Sequence, residues 1–405
     1  MQWPRELLVV YVAGFLRSLG VGLLGVVLGV YLFRVGLSSV QLGLVLAAGL
    51  AGGTAATAIV AFHGDRLGRR RTLLALAVLS AAGGVALATV PHFGPLLALS
   101  FLGMVNGMGT DRSAAFALEQ AIIPGLVPDQ TRTWALSWYN VLLDGGGALG
   151  ALAGALPLLL PSWTGIPLSA AYEYLFFAYA ALQLLGATLY LQLSPQVEII
   201  RDAGQPLPAE VSRESKSIVR RLAALFSVDA VGGGFLGDAL VAYWFFRRFG
   251  IDEKQLGVLF FAVHWLNAAS HLGAAWLSRR IGLVNTMVFT HLPSSLFLIA
   301  AAFAASPKTA IVLFLLRESL VEMDVPTRQS YLTAVVKPHE RTYASSITNL
   351  TRTISWAAAA SAAGALMQNL SLAAPLVLGG SLKIAYDMLL YRVFRRLRPP
   401  EEKEF

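Results

Sequence analysis

The sequence predicts an all-α integral membrane protein of twelve transmembrane helices, arranged as two six-helix, pseudo-symmetric halves. Composition, the spacing of apolar runs and an internal repeat carry that expectation. Of 405 residues, 56% are hydrophobic and 13% charged, with a mean hydropathy of +0.64. Globular chains carry about 25% charged residues and roughly 45–50% apolar ones with glycine included. The 38 glycines raise the apolar share here further. A water-soluble fold of this length could not enclose so much apolar surface, so lipid is the expected solvent.

Apolar runs long enough to cross about 30 Å of hydrocarbon fall at 6–33, 39–62, 72–91, 95–117, 133–158, 168–191, 218–246, 254–277, 283–304, 308–330, 342–367 and 371–394. The first run has a short charged lead, is too long and lacks a small-residue cleavage site, so it is read as a span and not a signal peptide. An even number of spans puts both termini on one side. That side holds 20 Lys and Arg residues and the opposite side 5, which makes it cytoplasmic by the positive-inside rule. In a soluble protein a net charge of +8 would suggest nucleic acid; here it reports topology, and no nucleic-acid partner is expected. The chain has no cysteine, which excludes disulfides and thiolate metal sites.

Ser194 to Ser217 is polar, mixes both charges and contains Pro195, Pro206 and Pro208. This linker-like stretch divides the chain into an N-terminal bundle (1–193), a cytoplasmic linker (194–217) and a C-terminal bundle (218–405). The two bundles are related. Gly20–Tyr31 laid on Gly232–Tyr243 matches at 6 of 12 positions, Gln41-Leu42-Gly43 falls on Gln255-Leu256-Gly257, and Gln120–Asn140 laid on Gln329–Asn349 matches at 7 of 21. Equivalent segments lie six spans apart, so they cross the membrane in the same direction. Such a parallel repeat puts the solute site near the midplane between the halves.

Between spans two and three stands His63-Gly64-Asp65-Arg66-Leu67-Gly68-Arg69-Arg70-Arg71. Gly64 and Gly68 permit a tight reversal. The arginines anchor the cytoplasmic side, and Asp65 beside Arg69 offers an ion pair that can also address a helix N-terminus. A generic basic loop would explain the arginines but not this order. Here the chain resembles the major facilitator superfamily of secondary transporters, whose signature loop reads Gly-x-x-x-Asp-Arg/Lys-x-Gly-Arg-Arg/Lys. Asp65, Arg66, Gly68, Arg69 and Arg70 match, while Ala61 replaces the first glycine. The second half carries a degenerate copy, Leu277-Ser278-Arg279-Arg280-Ile281-Gly282, without the acid.

The resemblance implies roles by span. Spans 1, 4, 7 and 10 would line a central cavity, spans 2, 5, 8 and 11 would form the moving interface, and the rest would support. Asp65, Arg66, Gly68 and Arg69 would belong to a cytoplasmic gate. Span 5 carries Gly146, Gly150 and Gly154 at the spacing that lets helices approach closely. It lacks the family's antiporter Gly-Pro, so transport direction stays open. The family's fourth-span Arg-x-x-x-Gly is also not cleanly present: Asn106 stands near its place, and Arg112 lies deeper toward the cytoplasm.

Charges within spans cost a few kcal/mol each on insertion scales and usually face a cavity or a partner. Arg17, Asp111, Arg112, Asp229, Asp238, Arg317 and Glu318 are the candidates for substrate contact or ion coupling. Arg17 and Asp229 occupy equivalent positions of the repeat near mid-depth and are expected to face each other, either as a coupling pair broken by substrate or protonation, or as a permanent structural pair. On span 10, Arg317, Asp324 and Arg328 would share one helical face, with Pro326 loosening the cytoplasmic end. Asp324 and Arg328, with Arg132 and Arg341 in the loops, are expected to bridge the inner gate. Asp111 and Glu119 would share a face of span 4. Asp144 and Arg352 lie at near-equivalent places in spans 5 and 11 and could form a state-dependent bridge. Lys383 and Asp387, at i and i+4, are expected to pair with each other. His264, His271 and His291 read as packing or water-contacting residues, with a histidine proton site left open. No metal is expected.

No His-Glu-x-x-His, Gly-x-Gly-Asp or Gly-x-x-x-x-Gly-Lys motif occurs, which argues against a membrane protease or an ATP motor, and no cofactor is expected. Buried carboxylates without an ATPase site favour an ion gradient, most often protons in this family. Arg17, Arg112 and Arg317 favour an anionic or zwitterionic small-molecule substrate. A lipophilic cation drawn to Asp229, Asp238 and Glu318 in a proton/drug antiporter is the alternative, as is an uncoupled facilitator. A monomer contacting lipid in a plasma membrane, such as a bacterial inner membrane, is expected.

Overall fold

Hydrocarbon offers no partner for backbone N–H and C=O groups, so a chain this apolar closes its hydrogen bonds within helices. The computed structural model describes residues 4–90, 92–111, 113–127, 132–198, 212–336 and 341–394. The side chains of 61–66, 124, 132–134, 136, 137, 196, 272, 275, 279, 326, 329, 330, 333, 334, 341–343, 345 and 346 lie outside the described residues. Among the described residues there are sixteen α-helices and no strand.

In chain order these are α1 (Arg5–Arg34), α2 (Ser39–Leu67), α3 (Arg69–Thr89), α4 (Phe93–Leu102), α5 (Ala114–Leu126), α6 (Arg132–Ala153), α7 (Leu156–Thr164), α8 (Leu168–Tyr190), α9 (Arg213–Gly234), α10 (Asp238–Phe249), α11 (Glu253–Ile281), α12 (Leu283–Ala302), α13 (Pro307–Val321), α14 (Asp324–Ala334), α15 (Arg341–Asn369) and α16 (Ala374–Phe394). They fall on the twelve expected spans, with the fourth, fifth, seventh and tenth each divided in two. Seven helical stretches are long and apolar enough to cross a membrane, or eight when α6 and α7, bent by 44°, are taken as one. The other expected spans fall on shorter or more polar helices.

The divisions have local causes. Between α4 and α5, Met104 (φ 51°) and Gly109 (φ 78°) are left-handed. Asn106 donates to the Thr110 carbonyl over 2.9 Å and accepts from the Met108 amide over 2.8 Å, so its side chain replaces helical hydrogen bonds. Between α13 and α14, Pro326 has no N–H to return to the turn before it. The expectation that Arg317, Asp324 and Arg328 share one helical face is therefore corrected: the break at Glu322 and Met323 separates Arg317 from the other two.

The chain packs into two compact units. Unit 1 comprises Met1–Ile200, Gly237–His264 and Ala360–Gln368; unit 2 comprises Arg201–Leu236, Trp265–Ala359 and Asn369–Phe405. Two segments of the second half thus pack with unit 1. Of the linker expected at 194–217, residues 199–211 lie outside the described residues. Small residues let the helices of unit 1 meet at backbone distance. A Cβ on Gly150 would stand 1.9 Å from the Leu19 carbonyl oxygen, one on Gly146 2.6 Å from that of Phe15, and one on Gly29 2.1 Å from that of Ala239. The core of unit 1 gathers Leu7, Val10, Ile123 and Tyr139, and that of unit 2 Leu222, Phe226, Tyr331 and Tyr386. Val78 and Val85 of α3 and Leu184 and Leu185 of α8 stay exposed, an apolar surface suited to lipid.

Candidate functional site

Arg17 sits at the middle of α1, buried. Its guanidinium donates from Nε to Asp111 Oδ2 (2.6 Å), from Nη2 to Glu119 Oε2 (2.5 Å) and from Nη1 to the Tyr190 hydroxyl (2.8 Å). Tyr139 and Tyr190 donate in turn to Glu119 Oε2 and Oε1, over 2.5 and 2.6 Å. The planar five-donor fork of an arginine can serve this many acceptors at once. Asp111 lies in the irregular segment after α4 and Glu119 on α5, so they reach Arg17 from separate elements and not from one helical face. One side chain ties α1, α5, α6 and α8 together.

Unit 2 is built the same way with the sign inverted. Asp229 on α9 is 3% exposed. Its Oδ1 accepts from Lys383 Nζ (2.8 Å), and its Oδ2 accepts from Arg328 Nη1 (3.2 Å) with Arg352 Nη2 at 3.8 Å. Arg328 also donates to Asp324 Oδ2 over 2.5 Å. These partners come from α14, α15 and α16, which correspond in the repeat to the helices that converge on Arg17. The expectation that Arg17 and Asp229 neutralise each other is corrected, because each finds its counter-charges within its own unit. The self-paired Lys383 and Asp387 are corrected too. Lys383 goes to Asp229, while Asp387 holds His291, whose Nδ1 lies 3.0 Å from Oδ1.

A small cavity of about 40 Å³ opens beside Arg17. Arg17, Asn106, Asp111, Ser113, Gln183 and Tyr190 supply its polar lining. Gln183 Nε2 is buried without a hydrogen-bond partner among the described residues. Such a donor is costly to leave unmet, and here it borders open space. Asp238 is not part of this wall. It begins α10, where its carboxylate packs against Gly109 and stands 3.8 Å from His264 Nε2. The Ala239 amide donates to the Gly107 carbonyl over 3.0 Å. Arg317 and Glu318 pair directly with each other on α13.

The signature loop is partly described. Gly68 caps α3 with φ 85°, a conformation that favours glycine. Glu198 accepts from the amides of Arg69 (2.6 Å) and Arg70 (3.1 Å). A carboxylate thus satisfies the open N–H groups of the helix start. Arg69 Nη1 donates to the Val197 carbonyl over 3.3 Å. The side chains of Asp65, Arg66, Arg132 and Arg341, and all of Arg112, lie outside the described residues. Asp144 is half-buried on α6, and Arg352 stacks over Trp356 at 5.1 Å.

At the far end of α1 a second ion pair, with an exposed arginine and a buried carboxylate, joins segments from the two halves of the sequence within unit 1. Arg34 donates from Nε and Nη2 to the two oxygens of Glu253 over 2.9 and 3.2 Å, and Tyr172 donates to the same carboxylate. Arg34 also lies over Phe246 (5.0 Å) while Arg247 lies over Phe33 (4.4 Å). Phe33-Arg34 and Phe246-Arg247 thus make reciprocal contacts, each arginine over the other pair's phenylalanine.

Sequence reasoning missed Glu253, Tyr172, Tyr139, Tyr190, Glu198 and the placement of His291. The only available signal was that Glu253 opens span 8 opposite Arg34, in a segment otherwise poor in acids.

The Major Facilitator Superfamily model matches over residues 10–321 and again over 222–405. The chain is 26% identical to the uncharacterized membrane protein YJR124C of Saccharomyces cerevisiae, over 96% of this chain and 94% of that one. Among solved structures it is similar to the human organic anion transporter MFSD10 (TETRAN), at 19% identity and a TM-score of 0.65, covering 96% of this chain and 100% of that one. It is also similar to a D-xylose-proton symporter, at 15% identity and a TM-score of 0.75, covering 96% and 97%. Twelve expected spans in duplicated halves, the signature loop and these matches agree: the chain is a multi-pass membrane protein and belongs to the Major Facilitator Superfamily.

Proposed function

We propose that the protein is a secondary active transporter that carries a small organic anion or zwitterion across a plasma membrane by alternating access, with protons as the coupling ion. One observation carries this reading. Arg17, buried at mid-span, is held by Asp111 at the wall of a small cavity that both residues line. A solute carboxylate entering there competes with Asp111 for the guanidinium, with the Gln183 amide on the same wall. That exchange of partners links binding to the packing of α1 against α5 and α8. The organic anion and the proton named for two structural neighbours are consistent with it.

The remaining roles follow from placement. The Arg69 loop, docked on Glu198, forms the fixed edge of a cytoplasmic gate whose moving partners are Asp65, Arg66, Arg132 and Arg341. Both termini are cytoplasmic and the monomer is the working unit.

The test is a thermal-stability screen of the purified protein against organic anions, zwitterions, sugars and lipophilic cations at about pH 5.5 and 7.5, the two sides of the histidine range. A ligand at a hundred times its dissociation constant adds about 2.7 kcal/mol. Stabilisation by one anion or zwitterion class, lost in Arg17→Ala, is the expected result. Stabilisation by lipophilic cations alone overturns the substrate class, and equal affinity at both pH values speaks for an uncoupled facilitator.

A further inference from the structure

His291 on α12 is 1% exposed and lies at the end of the Asp229 network. Lys383 Nζ stands 3.2 Å from its Nε2. An ammonium group only donates, so Nε2 must accept and carries no proton. The single ring proton is then on Nδ1, which donates to Asp387 at 3.0 and 3.2 Å from the two carboxylate oxygens. The tautomer is dictated by the partners.

The charged and titratable groups around the ring come from every neighbouring element. From α9, Asp229 Oδ1 lies 3.8 Å from Nε2. From α16 come Lys383, Asp387 and Tyr386, whose ring meets the imidazole edge-on at 6.1 Å. Asp324 and Arg328 of α14 and Arg352 of α15 connect through Asp229. On α13, Arg317 and Glu318 pair with each other. The bases Lys383, Arg328 and Arg352 are set among the acids Asp229, Asp324, Asp387 and Glu322, the last acting on Arg328, so the group holds no excess positive charge against a proton. The Tyr386 hydroxyl is buried with no hydrogen-bond partner among the described residues, which leaves one polar contact open for a rearranged state.

We infer that His291 is a proton-binding site, with Nε2 as the acceptor and Asp229 Oδ1 as the partner it gains. A hydronium ion gives its proton to the Nε2 lone pair: one O–H bond breaks, one N–H bond forms, and water leaves. The protonated nitrogen no longer accepts from Lys383, and two cations at that distance repel. The new N–H faces Asp229 Oδ1, the oxygen that Lys383 holds. Proton and lysine therefore compete for one carboxylate oxygen, and binding the proton weakens the Lys383–Asp229 link between α16 and α9. Asp387 stays on Nδ1 and balances the imidazolium. The inference rests on the proton-coupled reading above. It puts the proton on α12 and α16, and not on Asp229, whose oxygens already face Lys383, Arg328 and Arg352.

The experiment is ring-nitrogen NMR of full-length protein labelled with 15N-histidine in lipid nanodiscs, from about pH 5 to 8.5. His291 is assigned by its loss in His291→Gln or, if that variant does not fold, by the signal that moves in Lys383→Met. At high pH the ring should show a protonated Nδ1 and a lone pair on Nε2, and Nε2 should gain its proton as pH falls. Lys383→Met should shift that transition to higher pH and Asp387→Asn to lower. A ring that stays neutral to the lowest pH, or carries its proton on Nε2 at the highest, overturns the site. Proteoliposomes holding a pH-sensitive dye, challenged with organic anions, test the coupling reading separately. Proton movement with a silent His291 refutes the site alone, and a titrating His291 without proton movement refutes the reading alone.

Discussion

Lys383 Nζ donates to Asp229 Oδ1 over 2.8 Å, both side chains buried, and so fastens the last helix of the chain to the hub of unit 2. Removing one partner of a buried pair leaves the other charge uncompensated, which costs about 3–5 kcal/mol. Asp229 faces two further cations, so its loss should cost more than that of Lys383. Asp229→Ala is expected to unfold at markedly lower temperature than wild type, and Asp229→Ala with Lys383→Met should recover part of the loss in a double-mutant cycle. Equal melting temperatures for Asp229→Ala and wild type would show that the network does not stabilise the unit.

Arg17 is the corresponding hub in unit 1, and its geometry needs a fork. Arg17→Lys keeps the charge but cannot serve Asp111, Glu119 and Tyr190 together. It should fold with stability reduced by about 1–3 kcal/mol, the cost of leaving a buried acceptor unmet. Its ligand-induced stabilisation should vanish. Retained anion binding in Arg17→Lys would remove the guanidinium from recognition.

The start of α3 depends on Glu198, which occupies the amides of Arg69 and Arg70. Glu198→Ala should cost about 1 kcal/mol, as a lost N-cap does. Amide hydrogen exchange should rise selectively at Arg69 and Arg70. Unchanged exchange there would mean that the gate loop holds itself.

Glycines make a sharper contrast. A Cβ on Gly109 would meet Asp238 Oδ2 at 1.7 Å, at a φ of 78°, and one on Gly150 would meet the Leu19 carbonyl oxygen at 1.9 Å. Alanine at either position should force helices apart and cost several kcal/mol, on the order of overpacking plus strain. Gly53, inside α2, has nothing within 4 Å. Gly53→Ala should stabilise by about 0.5–1 kcal/mol through helix propensity. Thermal melts of the three variants check the ordering.

Much of the fold was legible because a membrane imposes it. Run length located the helical stretches, and Gly146 and Gly150 announced the close approach of α6 to α1. The breaks were less legible. Asn106 interrupts an apolar run that hydropathy reads as continuous, since a side chain that replaces helical hydrogen bonds leaves little trace in composition, whereas Pro326 announced the break before α14. The members of both hubs were visible as intramembrane charges, but their pairing was not. Spacing paired Lys383 with Asp387 because the two lie one turn apart, whereas packing of α16 against α9 and α12 brought Asp229 and His291 closer. Tyr139 and Tyr190 gave no signal, since a tyrosine in an apolar run looks like packing until its hydroxyl finds a carboxylate.

The most direct test of the central claim is proton movement into proteoliposomes loaded with a pH-sensitive dye, on addition of organic anions, zwitterions or lipophilic cations. The account predicts an internal pH change driven by one class of anion or zwitterion, abolished in Arg17→Ala that is shown to fold. A pH change driven only by lipophilic cations, or none with any solute in a protein that binds anions, would contradict it.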